Sequence, residues 1–105
     1  MRARATQNGV PMLQPAELAS TVGKLRVLFK DVTCSVAAIP TYIGGFMAMG
    51  FATDNKTLRR VSEQTVAARY RKAGQFATKY WTPAIHRAAF ALPKFIEALV
   101  EGARR

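Results

Sequence analysis

The chain has 105 residues, carries 16 Lys and Arg against 6 Asp and Glu with a single His, and has a formal net charge of +10. Half of its residues are hydrophobic and 21% are charged, which excludes a disordered basic tail, a collagen-like repeat and a low-complexity chain, and leaves one core in a single domain over residues 1–105. The lone cysteine, Cys34, cannot close an internal disulfide, which excludes a secreted disulfide scaffold and points to a reducing, cytoplasmic setting.

Met1-Arg2-Ala3-Arg4 is positively charged with no apolar stretch behind it, so no export signal is read. Residues 6–13 form a short mixed segment containing the turn-prone pair Asn8-Gly9. Gln14-Pro15 opens a helix expected over residues 15–29, with Leu18, Val22, Leu25, Leu28 and Phe29 at three-and-four spacing on its inner face. No charged residue occurs between Asp31 and Asp54, an uncharged run of 22 residues that would be long enough to cross a bilayer. Pro40, Gly44 and Gly45 interrupt it in the middle, where a spanning helix tolerates broken backbone least, so a membrane partner is set aside. The run divides instead into two strands, over residues 32–39 and 46–53, joined by a tight turn or crossover and apolar on both faces, as strands inside a covered sheet are.

Asp54-Asn55 starts a helical turn over residues 56–60, and Ser62 caps a helix over residues 63–73 that turns Val66, Ala67 and Tyr70 inward and stops at Gly74. Residues 76–81 read as extended. Thr82-Pro83 opens a helix over residues 84–92, Pro93 forces a break, and a last helix buries Phe95, Ile96, Leu99 and Val100. The sum is an α/β unit of about three strands and four helices, an incomplete flank of an open sheet whose first strand leaves an edge unpaired.

Little in the sequence carries chemistry by itself. No glycine-rich phosphate loop, Cys/His metal cluster or nucleophile beside a base is present, so neither a catalytic residue nor a metal site is assigned. His86 reads as a packing or hydrogen-bonding residue and Cys34 as an inert core thiol. Asp31 and Asp54 are placed at opposite ends of the strand pair, as turn and cap residues rather than paired carboxylates. Arg59, Arg60, Arg69, Arg71, Lys72 and Lys79 surround Tyr70, Tyr80 and Trp81, a pattern that can hold single-stranded nucleic acid. Helical spacing puts Tyr70 on the inward stripe and leaves the cations as a solvated face, so nucleic acid is not the expected partner.

Two motifs carry a resemblance. Ala37-Ala38-Ile39-Pro40-Thr41-Tyr42 followed by Gly44-Gly45, and Lys79-Tyr80-Trp81-Thr82-Pro83-Ala84-Ile85-His86-Arg87-Ala88-Ala89-Phe90-Ala91-Leu92-Pro93, resemble the C-terminal part of the spermidine synthase, or polyamine aminopropyltransferase, family. Gln7-Asn8-Gly9 lies upstream where that family has a glutamine-containing strand end, and Ala52-Thr53-Asp54-Asn55 lies between the motifs; the likeness covers residues 5–100. It implies a flank of a Rossmann-like, methyltransferase-type sheet and the transfer of an aminopropyl group from decarboxylated S-adenosylmethionine, a co-substrate rather than a cofactor, to putrescine. It assigns contact with the diamine to Tyr42 and, on the same pocket, to Gln7, with Pro40 and Thr41 as supporting backbone. The family's glycine-rich nucleoside loop and catalytic aspartate have no counterpart in this sequence, and Met1-Arg2-Ala3-Arg4 stands where the family has the apolar body of a strand, so the frame is expected to begin inside that strand. The chain is therefore expected to carry the amine side only, to need a separately encoded N-terminal half, and to self-associate through the apolar surface left open. The alternatives are an inactive truncated fragment and a basic nucleic-acid-binding module.

Overall fold

The structure, a computed structural model, describes residues 2–39, 41 and 45–102. Its elements in chain order are β1 (Ala3–Gln7), α1 (Pro15–Arg26), β2 (Asp31–Ala38), β3 (Phe46–Thr53), a 3-10 turn at Leu58–Arg60, α2 (Glu63–Lys72), α3 (Pro83–Ala88) and α4 (Lys94–Gly102). Three strands and four helices are what the hydrophobic pattern requires. The strands form one sheet in the order β1-β3-β2, with both pairings antiparallel. β3 therefore sits at the centre, and β1 offers a second edge with no neighbour among the described residues.

Register sorts the side chains. Because alternate residues of a strand face opposite sides, Cys34 opposite Gly50, and Val32 and Arg4 opposite Ala52, share one face, while Ala5 and Thr33 opposite Phe51, and Gln7 and Ser35 opposite Met49, share the other. The first face carries the core. Leu18 and Val22 of α1 and Ile96 and Val100 of α4 pack there on Val32, Cys34, Ala48 and Ala52, all at 9% exposure or less. On the second face the Phe90 ring meets Phe51 edge to face at 5.2 Å. Residues 89–92 thus wrap the free edge of β2, taking Phe90 to one face and Leu92 to the other, where it joins the core.

Local chemistry sets the helix ends. Pro15 at the first turn starts α1, the Ser62 hydroxyl accepts from the Thr65 amide at 3.2 Å, and the Thr82 hydroxyl accepts from the Ile85 amide at 3.0 Å. Gly74, at φ +102°, ends α2 in a backbone conformation open to glycine at little cost. Several expectations are corrected. α1 stops at Arg26, three residues short, so Leu28 leaves the apolar stripe and is 60% exposed, and Phe95 is exposed because Ile96 and Val100 take the inner line of α4. α3 is a six-residue helix, not one running to residue 92, and the stretch of residues 76–81, read as extended, bends at residues 79–80. Asp31 and Asp54 lie at the same end of the sheet, because the strands run antiparallel and Asp31 is opposite Thr53. No helix among the described residues is long and apolar enough to cross a membrane.

Candidate functional site

Gln7 ends β1 opposite Met49, on the face away from the core helices. With Ala5, Thr6, Ile39, Met47 and Met49 it lines an open cavity of about 350 Å³. Ile39, the first residue of the Ile-Pro-Thr-Tyr motif, lines this cavity, and its amide donates to the Gly45 carbonyl at 2.7 Å. The structure therefore brings Gln7 and the start of that segment together. Thr41 is exposed; Pro40 and Tyr42 lie outside the described residues. Apart from Gln7 and Thr6 the lining is apolar, two of its six residues are methionines, and none is acidic.

What holds Gln7 in place is the next residue. Asn8 is buried at 3% exposure, and its side-chain oxygen accepts from the Gly50 amide at 3.0 Å and from the Thr6 hydroxyl at 2.6 Å, while its amide group donates to the Thr21 hydroxyl at 2.7 Å. Backbone bonds between Asn8 and Ala48 (2.9 Å) and between Ala48 and Gly9 (2.8 Å) continue the ladder past the strand end. One side chain thus ties β1, β3 and α1 together. Gly50 has no room for a β-carbon, which would come 2.5 Å from the Thr6 hydroxyl oxygen and 2.9 Å from the Asn8 side-chain oxygen. The sequence marks Asn8-Gly9 as a turn and gives no sign that Asn8 is a buried acceptor.

A second missed contact joins the two motifs. The outward-facing amides at the end of β2 are bonded from the far segment: Val36 donates to the Ala89 carbonyl at 2.9 Å and Ala38 to the Tyr80 hydroxyl at 3.1 Å. Tyr80 thereby steadies the strand two residues before Pro40. The signal available in the sequence was the pairing of the motifs themselves, which lie 42 residues apart at this contact.

The remaining candidates are structural. Asp31 accepts two hydrogen bonds from Arg59, at 2.7 and 3.2 Å, and Asp54 accepts one from Arg2 at 2.8 Å. The hydrogen bond from Arg2 holds the Asp54 carboxyl below its usual range. Cys34 is fully buried and desolvation pushes its thiol up to about 11, as an inert core thiol requires. His86 accepts from the Trp81 indole N–H at 3.3 Å through Nδ1, so it is spent on an aromatic partner. No three His, Cys, Asp or Glu among the described residues could hold a metal. Chemically, the cavity can seat a short alkyl chain against Ile39, Met47 and Met49 and offer its end the Gln7 amide; it has no carboxylate to take a proton.

No family model matches the chain. It is 46% identical over 94 residues to a polyamine aminopropyltransferase of Ruegeria sp. (strain TM1040), which covers 90% of this chain and 33% of that protein. It is 48% identical over 90 residues to one from Salmonella arizonae, covering 86% and 31%. In structure it is similar to spermidine synthase from Thermotoga maritima, with a TM-score of 0.79 at 18% identity over 94% of this chain and 33% of that one. The fold is thus one flank of a spermidine-synthase, methyltransferase-like fold, and the chain spans about a third of the length of the relatives it matches.

Proposed function

We propose, for a chain that belongs to the polyamine aminopropyltransferase family as its C-terminal part, that it forms the amine side of an aminopropyl-transfer site. The observation that carries this is the cavity at the end of β1, which Gln7 lines together with Ile39, the first residue of the Ile39-Pro40-Thr41-Tyr42 motif. Gln7 binds one end of putrescine by its side-chain amide, the wall of Ile39, Met47 and Met49 covers the methylenes, and the Tyr42 phenol, aimed by Pro40 and Thr41, contacts the diamine.

In the transfer, the amine lone pair attacks the propyl carbon bound to the sulfonium of decarboxylated S-adenosylmethionine. A C–N bond forms, the C–S bond breaks, and the thioether leaves with the electron pair. The amine proton goes to a carboxylate that this cavity does not contain. The base and the donor site therefore come from the rest of a family member, in the same chain or another, and the bare edge of β1 is the strand on which it would pair. The exposed Met12, Leu13, Val27 and Leu28 support self-association, and the single buried thiol supports a cytoplasmic location.

The test is to assay aminopropyl transfer to putrescine with this chain alone and with the separately produced N-terminal two-thirds of the Ruegeria relative. Activity only in the mixture supports the reading. Activity of the chain alone overturns the assignment of the base elsewhere, and an inactive but stably assembled mixture supports the alternative, an inactive fragment.

A further inference from the structure

The positive charge of this chain is concentrated where the amine chemistry has no use for it. Residues 64–96 contain six Lys and Arg and no Asp or Glu. Arg69, Arg71, Lys72, Lys79, Arg87 and Lys94 are all exposed, and none is in an ion pair among the described residues. A surface of one sign repels a cationic amine and draws polyanions.

Within this layer the aromatic rings are organised. Tyr70 meets Phe76 at 5.0 Å and Trp81 at 5.1 Å, both edge to face, and Trp81 meets His86 at 5.9 Å. The Tyr70 hydroxyl donates to the Phe76 carbonyl and the Trp81 indole to His86, so the platform is fixed before any ligand arrives. With Arg69 these rings line an open, largely apolar cavity of about 250 Å³, and Phe76 is 58% exposed at its edge. Lys72 lies three residues beyond Arg69 on the same flank of α2, and Lys79 lies between Phe76 and Trp81 in the chain.

From this juxtaposition we infer that the α2–α3 layer binds single-stranded nucleic acid, with one base seated against Phe76 and Trp81 and the phosphates on Arg69, Lys72 and Lys79. Sequence spacing alone reads these cations as a solvated face; the structure adds a concave aromatic floor beside them. The concavity favours a flat ring over the other anionic surfaces. Every nucleotide pairs a planar ring with a phosphate, whereas an acidic peptide does so only where an aromatic residue adjoins its carboxylates, and a membrane docks on a protruding apolar face rather than in a recess.

Trp81 is the only tryptophan and reports on the site directly. Titrating the full chain with oligouridylate of about 12 nucleotides should quench its fluorescence saturably, with a log–log salt slope of about −2 for three phosphate contacts. Phe76→Ala, at an exposed position, should weaken binding about fivefold or more with an unchanged circular dichroism spectrum, and Arg69→Gln with Lys72→Gln should flatten the salt slope. Polyphosphate of equal charge and vesicles of phosphatidylglycerol are the comparison probes. Absence of quenching, an unaffected Phe76→Ala variant, or equal quenching by polyphosphate or vesicles would each overturn the inference.

Discussion

Replacing Asn8 with alanine removes the tie between β1, β3 and α1. Its largest effect falls on the Gly50 amide, which sits in the central strand opposite Thr6 and donates to the buried Asn8 side-chain oxygen. Stranding a buried donor costs about 1–3 kcal/mol, and the lost bonds to the half-buried Thr6 and Thr21 hydroxyls add about 0.5–1 kcal/mol each, since water can replace part of them. The expected loss is about 2–4 kcal/mol, a large share of the ~5–15 kcal/mol that holds a domain of this size. Urea unfolding followed by circular dichroism measures it, with Thr21→Val as the control that loses one bond and about 1 kcal/mol. Exchange of the Gly50 amide proton should accelerate in Asn8→Ala and stay near native in Thr21→Val. A cooperative Asn8→Ala variant within about 0.5 kcal/mol of the parent, with a protected Gly50 amide, would refute the reasoning.

Other consequences follow from the same contacts. Gly50→Ala, whose methyl would overlap the Thr6 and Asn8 oxygens, should destabilise by about 2 kcal/mol or more in the same unfolding assay. Tyr80→Phe leaves the Ala38 amide without its hydroxyl acceptor and should speed exchange of that one amide about fivefold, read by NMR, with little change at Val36, whose partner is the Ala89 carbonyl. Cys34 should resist a thiol reagent at pH 8 and react at once in denaturant; because its folded pKa is raised, the protonated thiol adds stability below about pH 9 that is lost as pH rises through about 11. Asp54 works the other way: its carboxyl is lowered by Arg2, so its contribution is present above the ordinary carboxylate pKa and fades as pH falls through the folded value, and Asp54→Asn should flatten the acid limb of stability against pH.

Elements governed by local chemistry were legible in the sequence. Residues 46–53 form the strand that their apolar run requires, and Ser62, Thr82, Pro15 and Gly74 mark helix ends as their side chains and backbone freedom dictate. Strand direction was not legible, because an apolar run reads the same in either sense. That is why the sequence places Asp31 and Asp54 at opposite ends of the strand pair while the structure puts them at one. Leu28 and Phe95 were misassigned for a related reason: periodicity names candidates for an inner face, while the point where α1 stops and the azimuth at which α4 docks decide which are covered. Of the candidate cavity, the motifs single out Gln7 and the segment that starts at Ile39, both of which line it, whereas Asn8 and Tyr80 act through partners 42 residues away that no local pattern discloses.

The most direct test of the amine-side assignment is steady-state kinetics on a chimaera in which residues 5–100 of this chain replace the matching third of the Ruegeria relative. The account predicts an active transferase in which Tyr42→Phe and Gln7→Ala each raise the putrescine KM about tenfold, as loss of one substrate hydrogen bond does, with the KM of the aminopropyl donor unchanged. A putrescine KM unmoved by both substitutions, in an active chimaera, would contradict it.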